Sequence, residues 1–334
     1  EISLGLVGSE MCIRDRMRRC YSVWRRDGML ILYIFAAVLG VCLLVFAVTY
    51  ILLKLNMRPG RPPELADPAA AARTRWAPYA GTVSRLILEL RGMPWEDVYT
   101  TSSDGLSLHA RLLRGRGGDN VILVHGYRSS GENDFAGIAQ YYMARGFGVL
   151  LIDQRAHGRS EGREICFGTR EREDVRRWVD FARANLQGRL WLHGVSMGAA
   201  TVLMAAGEGF DTRVEGIVTD SSFTSPRDVL AYQMTRQYHL PQFPFVPIGT
   251  LAGMLIAGRD FACGSVLRAA ESAREPVLFV CGAEDRSLPP GSTEKLREAR
   301  GGRDPMLVVP GAKHALCWLQ DPEGYARALD GFMK

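Results

Sequence analysis

Three residues in distant parts of the chain carry the side chains of a nucleophile, a general base and an orienting acid. Ser196 lies between two glycines in the stretch GVSMG, after the apolar run LWL and before small residues. Asp285 follows the apolar run VLFVCG, and His314 follows MLVVPG. A serine hydroxyl is a weak nucleophile at neutral pH, so it needs a base to take its proton and an acid to orient that base. The three residues therefore predict nucleophilic catalysis with Ser196 as nucleophile, His314 as base and Asp285 as acid.

The identity of the acid has alternatives. Glu284 is adjacent to Asp285, and Asp220 ends another apolar run, VEGIVTD. Any carboxylate at the end of a neighbouring strand can lie near the same base. We favour Asp285 because the chain order Ser196, Asp285, His314 is the order expected for a nucleophile on a sharp strand-to-helix turn.

A serine mechanism also needs donors for the oxyanion that develops on the substrate. The backbone N–H of Met197 is one candidate, because it begins the helix predicted after Ser196. The second candidate is the backbone N–H of Tyr127, in the loop after the run VILVHG. Met197 and Tyr127 are therefore the predicted oxyanion-hole residues.

The elements that must position these residues follow from the hydrophobic pattern. Short apolar runs rich in branched residues alternate with amphipathic stretches at about 134–145, 169–186, 197–208, 292–300 and 322–333. This alternation is typical of a mainly parallel sheet covered by helices on both faces. The turn Asp104-Gly105 between two alternating runs predicts an antiparallel hairpin at the leading edge of that sheet.

One interval, about 223–270, is too long for a plain connection between two strands. It is aromatic, Met-rich and interrupted by proline, and we predict a small helical lid over the strand ends. Five of its side chains are candidates to line an acyl pocket, with plain packing of the lid as the alternative: Tyr232, Met234, Tyr238, Phe243 and Phe245. In the stretch DQRAHGRSEG, Asp153 and Arg155 are candidates to pair and stiffen their loop, with a solvent-exposed pair as the alternative.

The segment 29–53 has no charged residue over 25 positions. As a helix it would be about 37 Å long, which exceeds the roughly 30 Å of bilayer hydrocarbon. We predict one transmembrane helix, because a cleaved signal peptide, the rival interpretation, has a shorter apolar region. Arginines in the basic segment 17–28 predict a cytoplasmic N-terminus and a catalytic domain outside the cytoplasm, in a single-pass protein of the cell membrane.

The other boundaries follow from composition. Residues 1–16 resemble a translated sequencing-adapter read-through upstream of a plausible start at Met17, so we predict a non-native leader. Residues 54–72 contain four prolines and predict a linker. Residues 73–334 are then the catalytic domain.

Composition excludes several function classes. The net charge is +5, and Arg and Lys are scattered among acids, so the sequence predicts no nucleic-acid partner. None of the seven cysteines forms a C-x-x-C pair, and no phosphate loop or dinucleotide fingerprint is present. We therefore expect no cofactor and no metal. A disulfide between Cys281 and either Cys263 or Cys317 is left open, and so is the oligomeric state.

Six motifs occur in an order that resembles the α/β-hydrolase superfamily, and within it the bacterial serine-aminopeptidase-like hydrolases: HGYRSS, DQRAHGRSEG, GVSMG, TDSSFTS, GAEDRSLP and GAKHA. The resemblance covers about 95–333. It implies the α/β-hydrolase fold and an acyl-enzyme route in which His314 moves the proton, Asp285 holds His314, and water frees the acid. The N-terminal apolar segment is additional to that pattern.

The predicted function is a membrane-anchored serine hydrolase that cleaves carboxylic esters, with a small-molecule or lipid-like ester as substrate. A serine peptidase or aminopeptidase ranks second, because nothing in the sequence marks a pocket for a free α-amine. A thioesterase ranks third. An alternative of another class is a catalytically silent binding module, anchored in the membrane, on the same fold.

Overall fold

The computed structural model describes residues 3–211, 214–258 and 264–334. The chain divides into two units, Glu1–Leu52 and Leu53–Lys334. The described part of the first unit is helical, and its helix, α1 (Ser3–Met57), continues into the second unit. The second unit contains the whole β-sheet.

Helix α1 contains a stretch that can cross a membrane by its length and composition. Asp27–Met57 has a mean hydropathy of 2.9 over its most apolar window, none of which is buried. The predicted span 29–53 lies inside this stretch. A signal sequence near an N-terminus has the same properties, so this finding fits both an anchor and a signal.

The second unit is built on one sheet of eight strands in the spatial order β1-β2-β4-β3-β5-β6-β7-β8. β2 pairs antiparallel with both β1 and β4, and all other pairs are parallel. The predicted antiparallel hairpin at the leading edge is confirmed. The strands are β1 (Glu96–Thr101), β2 (Ser107–Leu113), β3 (Asn120–Val124), β4 (Gly148–Ile152), β5 (Leu190–Val195), β6 (Gly216–Asp220), β7 (Val277–Gly282) and β8 (Met306–Val309).

Helices connect the strands, as the alternating pattern predicts. Those described in the second unit after the end of α1 are α2 (Pro68–Ala71), α3 (Ala80–Arg91), α4 (Gly131–Ala144), α5 (Glu171–Asn185), α6 (Met197–Gly207), α7 (Pro226–Arg236), α8 (Gln242–Ala257), α9 (Val266–Ser272), α10 (Ser292–Ala299), α11 (Cys317–Gln320) and α12 (Pro322–Phe332). A short 3-10 turn, Ala77–Tyr79, precedes α3.

The helices cover both faces of the sheet, because alternate residues of a strand point to opposite sides. On β3, Ile122 and Val124 belong to the core shared with α5, α6, α9 and α10. Val121 and Leu123 belong to the opposite core, shared with α3, α4 and α12. Burial on both faces explains why the parallel strands are continuous apolar runs in the sequence.

The segment predicted as a linker, 54–72, packs against the rest of the second unit. Leu65 and Ala71 are fully buried in the same core as α3 and α4. The Ser84 hydroxyl donates to the carbonyl of Leu65 at 2.6 Å. Met57 is fully buried as well, so the turn that ends α1 is part of the folded unit.

The interval predicted as a lid contains α7 and α8 between β6 and α9. Residues 259–263, Cys263 among them, lie outside the described residues. Tyr232 on α7 donates from its hydroxyl to the carbonyl of Arg286 at 3.1 Å, and the Gln233 amide donates to that of Ser287 at 2.9 Å. Helix α7 therefore contacts the loop that follows β7, which carries Asp285.

Candidate active site

Ser196 lies on the sharp turn between β5 and α6. Its backbone has φ +55° and ψ −117°, which is unfavourable for any residue other than glycine. The strand before it is buried and the helix after it starts immediately at Met197. A turn this tight projects the serine side chain beyond the end of the sheet.

Glycines flank Ser196 because the turn leaves no room for a Cβ atom. A Cβ on Gly198 would lie 1.9 Å from the carbonyl oxygen of Val124 on β3. A Cβ on Gly194 would lie 2.4 Å from the carbonyl oxygen of Gly198. Both obstacles are backbone atoms, which cannot rotate away. The glycines of GVSMG thus let β5, β3 and α6 meet closely around the serine.

The structure brings the three predicted residues together in one chain of hydrogen bonds. His314 Nε2 lies 2.8 Å from the Ser196 hydroxyl, and His314 Nδ1 lies 2.7 Å from Asp285 Oδ2. Ser196 follows β5, Asp285 follows β7 and His314 follows β8. A carboxylate can only accept a hydrogen bond, so Nδ1–H donates to Asp285 and Nε2 is left to accept the serine proton.

The environment of Asp285 keeps it ionised. Burial by itself raises the pKa of this carboxyl, but the hydrogen bond from His314 and the nearby backbone N–H groups of Ser287 and Leu288 bring its pKa below the ordinary value. The Ser287 N–H donates to Asp285 Oδ1 at 2.9 Å. An ionised Asp285 can hold His314 and stabilise the imidazolium form.

The alternative acids occupy other positions. Asp220 is buried at the end of β6 and accepts from the Ser221 hydroxyl at 2.8 Å. Burial raises the pKa of Asp220 to about 6. Glu284 is exposed, and its N–H donates to the carbonyl of Ala312. Of the three carboxylates, Asp285 is the one hydrogen-bonded to His314.

The predicted oxyanion donors follow two neighbouring parallel strands, β5 and β3. Met197 is the first residue of α6, and Tyr127 lies in the loop after β3. The preceding residue, Gly126, is close enough to the site that a Cβ there would lie 3.2 Å from Ser196 Cβ. Asp134 fixes this loop from α4, because its Oδ2 accepts the Gly126 N–H at 2.7 Å. No sequence pattern marks Asp134 as a residue of the site.

Two histidines stiffen the same region. His125 donates from Nδ1 to the carbonyl of Gly126 at 2.8 Å, and its Nε2 accepts the Gln154 N–H at 3.2 Å. His157 accepts the backbone N–H of Arg128 at Nε2, 3.1 Å away. Burial lowers the pKa of His157 to about 3, which keeps this ring neutral and able to accept.

The expected pairing of Asp153 with Arg155 is wrong. Arg155 is buried and binds the carboxylate of Asp174 on α5 through Nε at 2.6 Å and Nη2 at 2.7 Å. Asp153 instead faces His109, with 2.8 Å between Oδ2 and Nδ1. Arg155 also donates to Asp104, in the turn between β1 and β2, at 3.0 and 3.1 Å. Both partners of Arg155 are distant in the sequence, and its neighbour Asp153 is not one of them.

The candidate pocket residues in the lid interval have mixed environments. Met234 is buried, whereas Phe243 is 79% exposed. The Tyr238 hydroxyl accepts from the side chain of Asn56 at 2.8 Å. Their role in substrate binding stays a prediction.

The chain also contains potential metal ligands and cysteine thiols. Within residues 3–211, 214–258 and 264–334, no group of three or more His, Cys, Asp or Glu side chains is arranged to hold a metal ion. Cys281 and Cys317 are buried free thiols, so they are not bonded to each other. Burial raises the pKa of both thiols, which makes them unreactive.

Comparison with known proteins agrees with the sheet topology. A family model described as the alpha/beta hydrolase fold matches residues 119–257. The protein named "Uncharacterized protein YqkD" of Bacillus subtilis is 28% identical over 217 residues, which cover 64% of this chain and 71% of that protein. The Thiohydrolase aneE of Aspergillus aculeatus is 32% identical over 131 residues, 37% of this chain and 41% of that protein.

Solved structures show the same fold. The esterase Pf2001 of Pyrococcus furiosus superposes with a TM-score of 0.60 at 22% identity, covering 73% of this chain and 92% of the esterase. The family model, these relatives and the order of the eight strands agree with one another. The chain therefore has the α/β-hydrolase fold.

Proposed function

We propose that this protein is a serine hydrolase that cleaves carboxylic esters through an acyl-enzyme intermediate. The observation that carries the proposal is the continuous hydrogen-bond chain from Ser196 through His314 to Asp285, at 2.8 and 2.7 Å. A general base at this distance can take the serine proton as the hydroxyl attacks. The strained turn at Ser196 adds support, because strain of this kind is concentrated at functional sites.

Acylation would proceed from this geometry. Ser196 Oγ attacks the carbonyl carbon of the ester while its proton moves to His314 Nε2. Asp285 stabilises the imidazolium, and the N–H groups of Tyr127 and Met197 donate to the oxyanion of the tetrahedral intermediate. His314 then gives the proton to the leaving alkoxide, and the acyl group remains on Ser196.

Deacylation repeats these steps with water as the nucleophile. His314 takes a proton from water, whose oxygen attacks the acyl carbon, and then returns the proton to Ser196 Oγ. The products are the carboxylic acid and the free enzyme. Every proton is transferred through His314, so this route requires no cofactor.

We further propose that the protein is anchored in the cell membrane by residues 29–53, with a cytoplasmic N-terminus. Support comes from the length and mean hydropathy of Asp27–Met57 and from the arginines in 17–28. A membrane anchor favours lipid-like esters, which partition into the bilayer. The relative aneE is named a thiohydrolase, which makes thioesters the second candidate substrate class.

Labelling of the detergent-solubilised chain with a fluorophosphonate tests the mechanism. We expect covalent labelling at Ser196 in the unchanged chain and none in Ser196→Ala. The same pair of proteins would be assayed on p-nitrophenyl esters of graded length, acyl thioesters and aminoacyl nitroanilides. Ester hydrolysis that disappears in Ser196→Ala is the expected result, and faster cleavage of the nitroanilides would favour a peptidase.

The rival hypothesis is a catalytically silent, membrane-anchored binding module on the same fold. It predicts that the folded protein is neither labelled nor active on any of the three substrate classes. A thermal unfolding transition measured on the same preparation establishes that the protein is folded. Absence of labelling in a preparation that unfolds cooperatively would overturn the proposed function.

A further inference from the structure

The last turn of α1 makes contacts that a simple membrane tether does not need. The carbonyl groups at the C-terminal end of an α-helix have no partner within the helix. Here those of Leu55, Asn56 and Met57, and that of Arg58 just beyond the helix, accept hydrogen bonds from residues later in the second unit. We call Leu55–Arg58 the terminal turn.

Three residues in two loops of the second unit supply the donors. Arg128 donates from Nη2 to Leu55 O at 2.5 Å and to Arg58 O at 3.0 Å, and from Nε to Arg58 O at 3.2 Å. The Tyr127 hydroxyl donates to Asn56 O at 2.6 Å. The backbone N–H of Ile165 donates to Met57 O at 2.7 Å.

Side-chain packing fixes the terminal turn in place. Met57 is fully buried and Leu53 is 2% exposed, in a cluster with Cys166 and Ala252. Lys54 forms an ion pair with Glu164. The turn therefore cannot move without disrupting contacts to the loop around Ile165 and to helix α8.

Two of the donors belong to the loop that carries a proposed oxyanion donor. Tyr127 supplies that N–H, and Arg128 follows it with φ +49°, an uncommon conformation for a residue with a side chain. The backbone N–H of Arg128 is bound by His157, and its guanidinium by the terminal turn. An uncommon backbone conformation persists where the surroundings hold it from several sides.

Charge complements this geometry. The C-terminal end of a helix carries a partial negative charge, which favours a cation placed against its last carbonyl groups. Arg128 is such a cation, and its planar guanidinium reaches two of these carbonyl oxygens at once. Its stem passes over Gly60, where a Cβ would lie 2.8 Å from Arg128 Cδ.

We propose that the terminal turn is a positioning element of the active site, which holds the backbone N–H of Tyr127 at the oxyanion through the side chains of Tyr127 and Arg128. This inference rests on the proposed serine hydrolase function. It assigns α1 a second role besides anchoring, and it makes Arg128 and the Tyr127 hydroxyl positioning groups that act without touching the substrate.

Kinetics of full-length variants in detergent test the proposal. Arg128→Met removes three hydrogen bonds, and Tyr127→Phe removes one while keeping the backbone N–H. We expect kcat on a p-nitrophenyl ester to fall roughly 10- to 100-fold in Arg128→Met, with a smaller fall in Tyr127→Phe, because small displacements at the reacting centre are costly. KM should change little, and Arg128→Lys should recover part of the loss.

A matched control separates positioning from general stability. Arg189→Met also removes two hydrogen bonds from an arginine, which Arg189 donates to Asp119 at 2.9 and 2.7 Å. Arg189 directly precedes β5 and is far in sequence from the terminal turn. We expect unchanged kcat in this control. If Arg128→Met fails to fold, Tyr127→Phe alone decides, since it removes only a hydroxyl.

The outcomes distinguish this inference from the proposed function. Folded Arg128→Met and Tyr127→Phe variants with the kcat of the unchanged chain would overturn the positioning role while Ser196→Ala remains inactive. A rise in KM at constant kcat would also overturn it, because that pattern indicates lost substrate binding. Full activity of Ser196→Ala would overturn the proposed function itself.

Discussion

Gly198 shows how closely the backbone packs around Ser196. A Cβ at Gly198 would lie 1.9 Å from Val124 O, so a methyl group must push β3 and α6 apart. We predict that Gly198→Ala lowers the free energy of unfolding by about 1–3 kcal/mol and lowers activity as well. Gly331→Ala is the control, because Gly331 is exposed in α12 with nothing within 4 Å of the added atom. Thermal unfolding of both variants checks this, and equal transition temperatures would contradict it.

The choice of acid gives a second prediction at the residue scale. In Asp285→Asn, the amide can donate to His314 Nδ1, which places the ring proton on Nε2. A protonated Nε2 cannot accept the proton of Ser196. We predict a loss in kcat of roughly 10⁴-fold with folding retained. Asp220→Asn should cost much less, because Asp220 does not hydrogen-bond to His314. Equal losses in the two variants, measured on a p-nitrophenyl ester, would contradict this assignment.

The residue types and their chain order could be predicted from the sequence, but their surroundings could not. Serine, histidine and aspartate after successive apolar runs indicate a shared sheet edge, because the ends of parallel strands meet there. The contact between Arg155 and Asp174 could not be predicted in this way, because Asp174 lies on a helix and no sequence pattern links the two residues. The carbonyl groups that bind Arg128 have no sequence signal at all, because every residue has a carbonyl.

At the scale of elements, β5 is connected to the helices on one face of the sheet through a buried histidine. His193 lies between the hydroxyls of Tyr142 on α4 and Tyr325 on α12, at 3.1 and 2.9 Å. Burial lowers the pKa of His193 from 6.5 to about 3. The folded protein therefore holds this ring neutral, and α4, β5 and α12 depend on it.

This environment predicts a pH-dependent contribution to stability. Below pH 6.5 the unfolded chain protonates His193 and the folded one does not, so the contribution is complete above that pH and is lost as pH falls toward 3. We predict that the destabilisation caused by His193→Gln shrinks by about 2 kcal/mol between pH 7 and pH 5. Denaturant unfolding measures the free energy of unfolding of the variant and the unchanged chain at each pH. The contributions of other titrating groups, such as Asp220, cancel in the difference between the two proteins. A pH-independent difference would contradict the prediction, and exposed His239→Gln is the control.

Hydrophobic patterning predicted the sheet, the leading hairpin and the flanking helices, because each is determined mainly by local alternation and burial. It did not predict the packing of 54–72. The four prolines there are typical of a linker, and the single apolar residues Met57 and Leu65 show no periodicity. Their burial is decided by distant helices and loops that become neighbours only in the folded chain.

At the scale of the whole molecule, the open question is whether the apolar part of α1 remains in the mature protein. An anchor keeps 29–53, whereas a signal peptide loses it. Because the terminal turn packs against the rest of the second unit, we predict that the mature protein retains the helix. The protein should then stay in membranes after alkaline carbonate extraction and need detergent for release. Peptide mass spectrometry of the purified protein checks this, with a variant carrying three Leu→Arg changes at 43, 44 and 52 as the soluble control. A mature N-terminus beyond residue 53, in protein released without detergent, would contradict it.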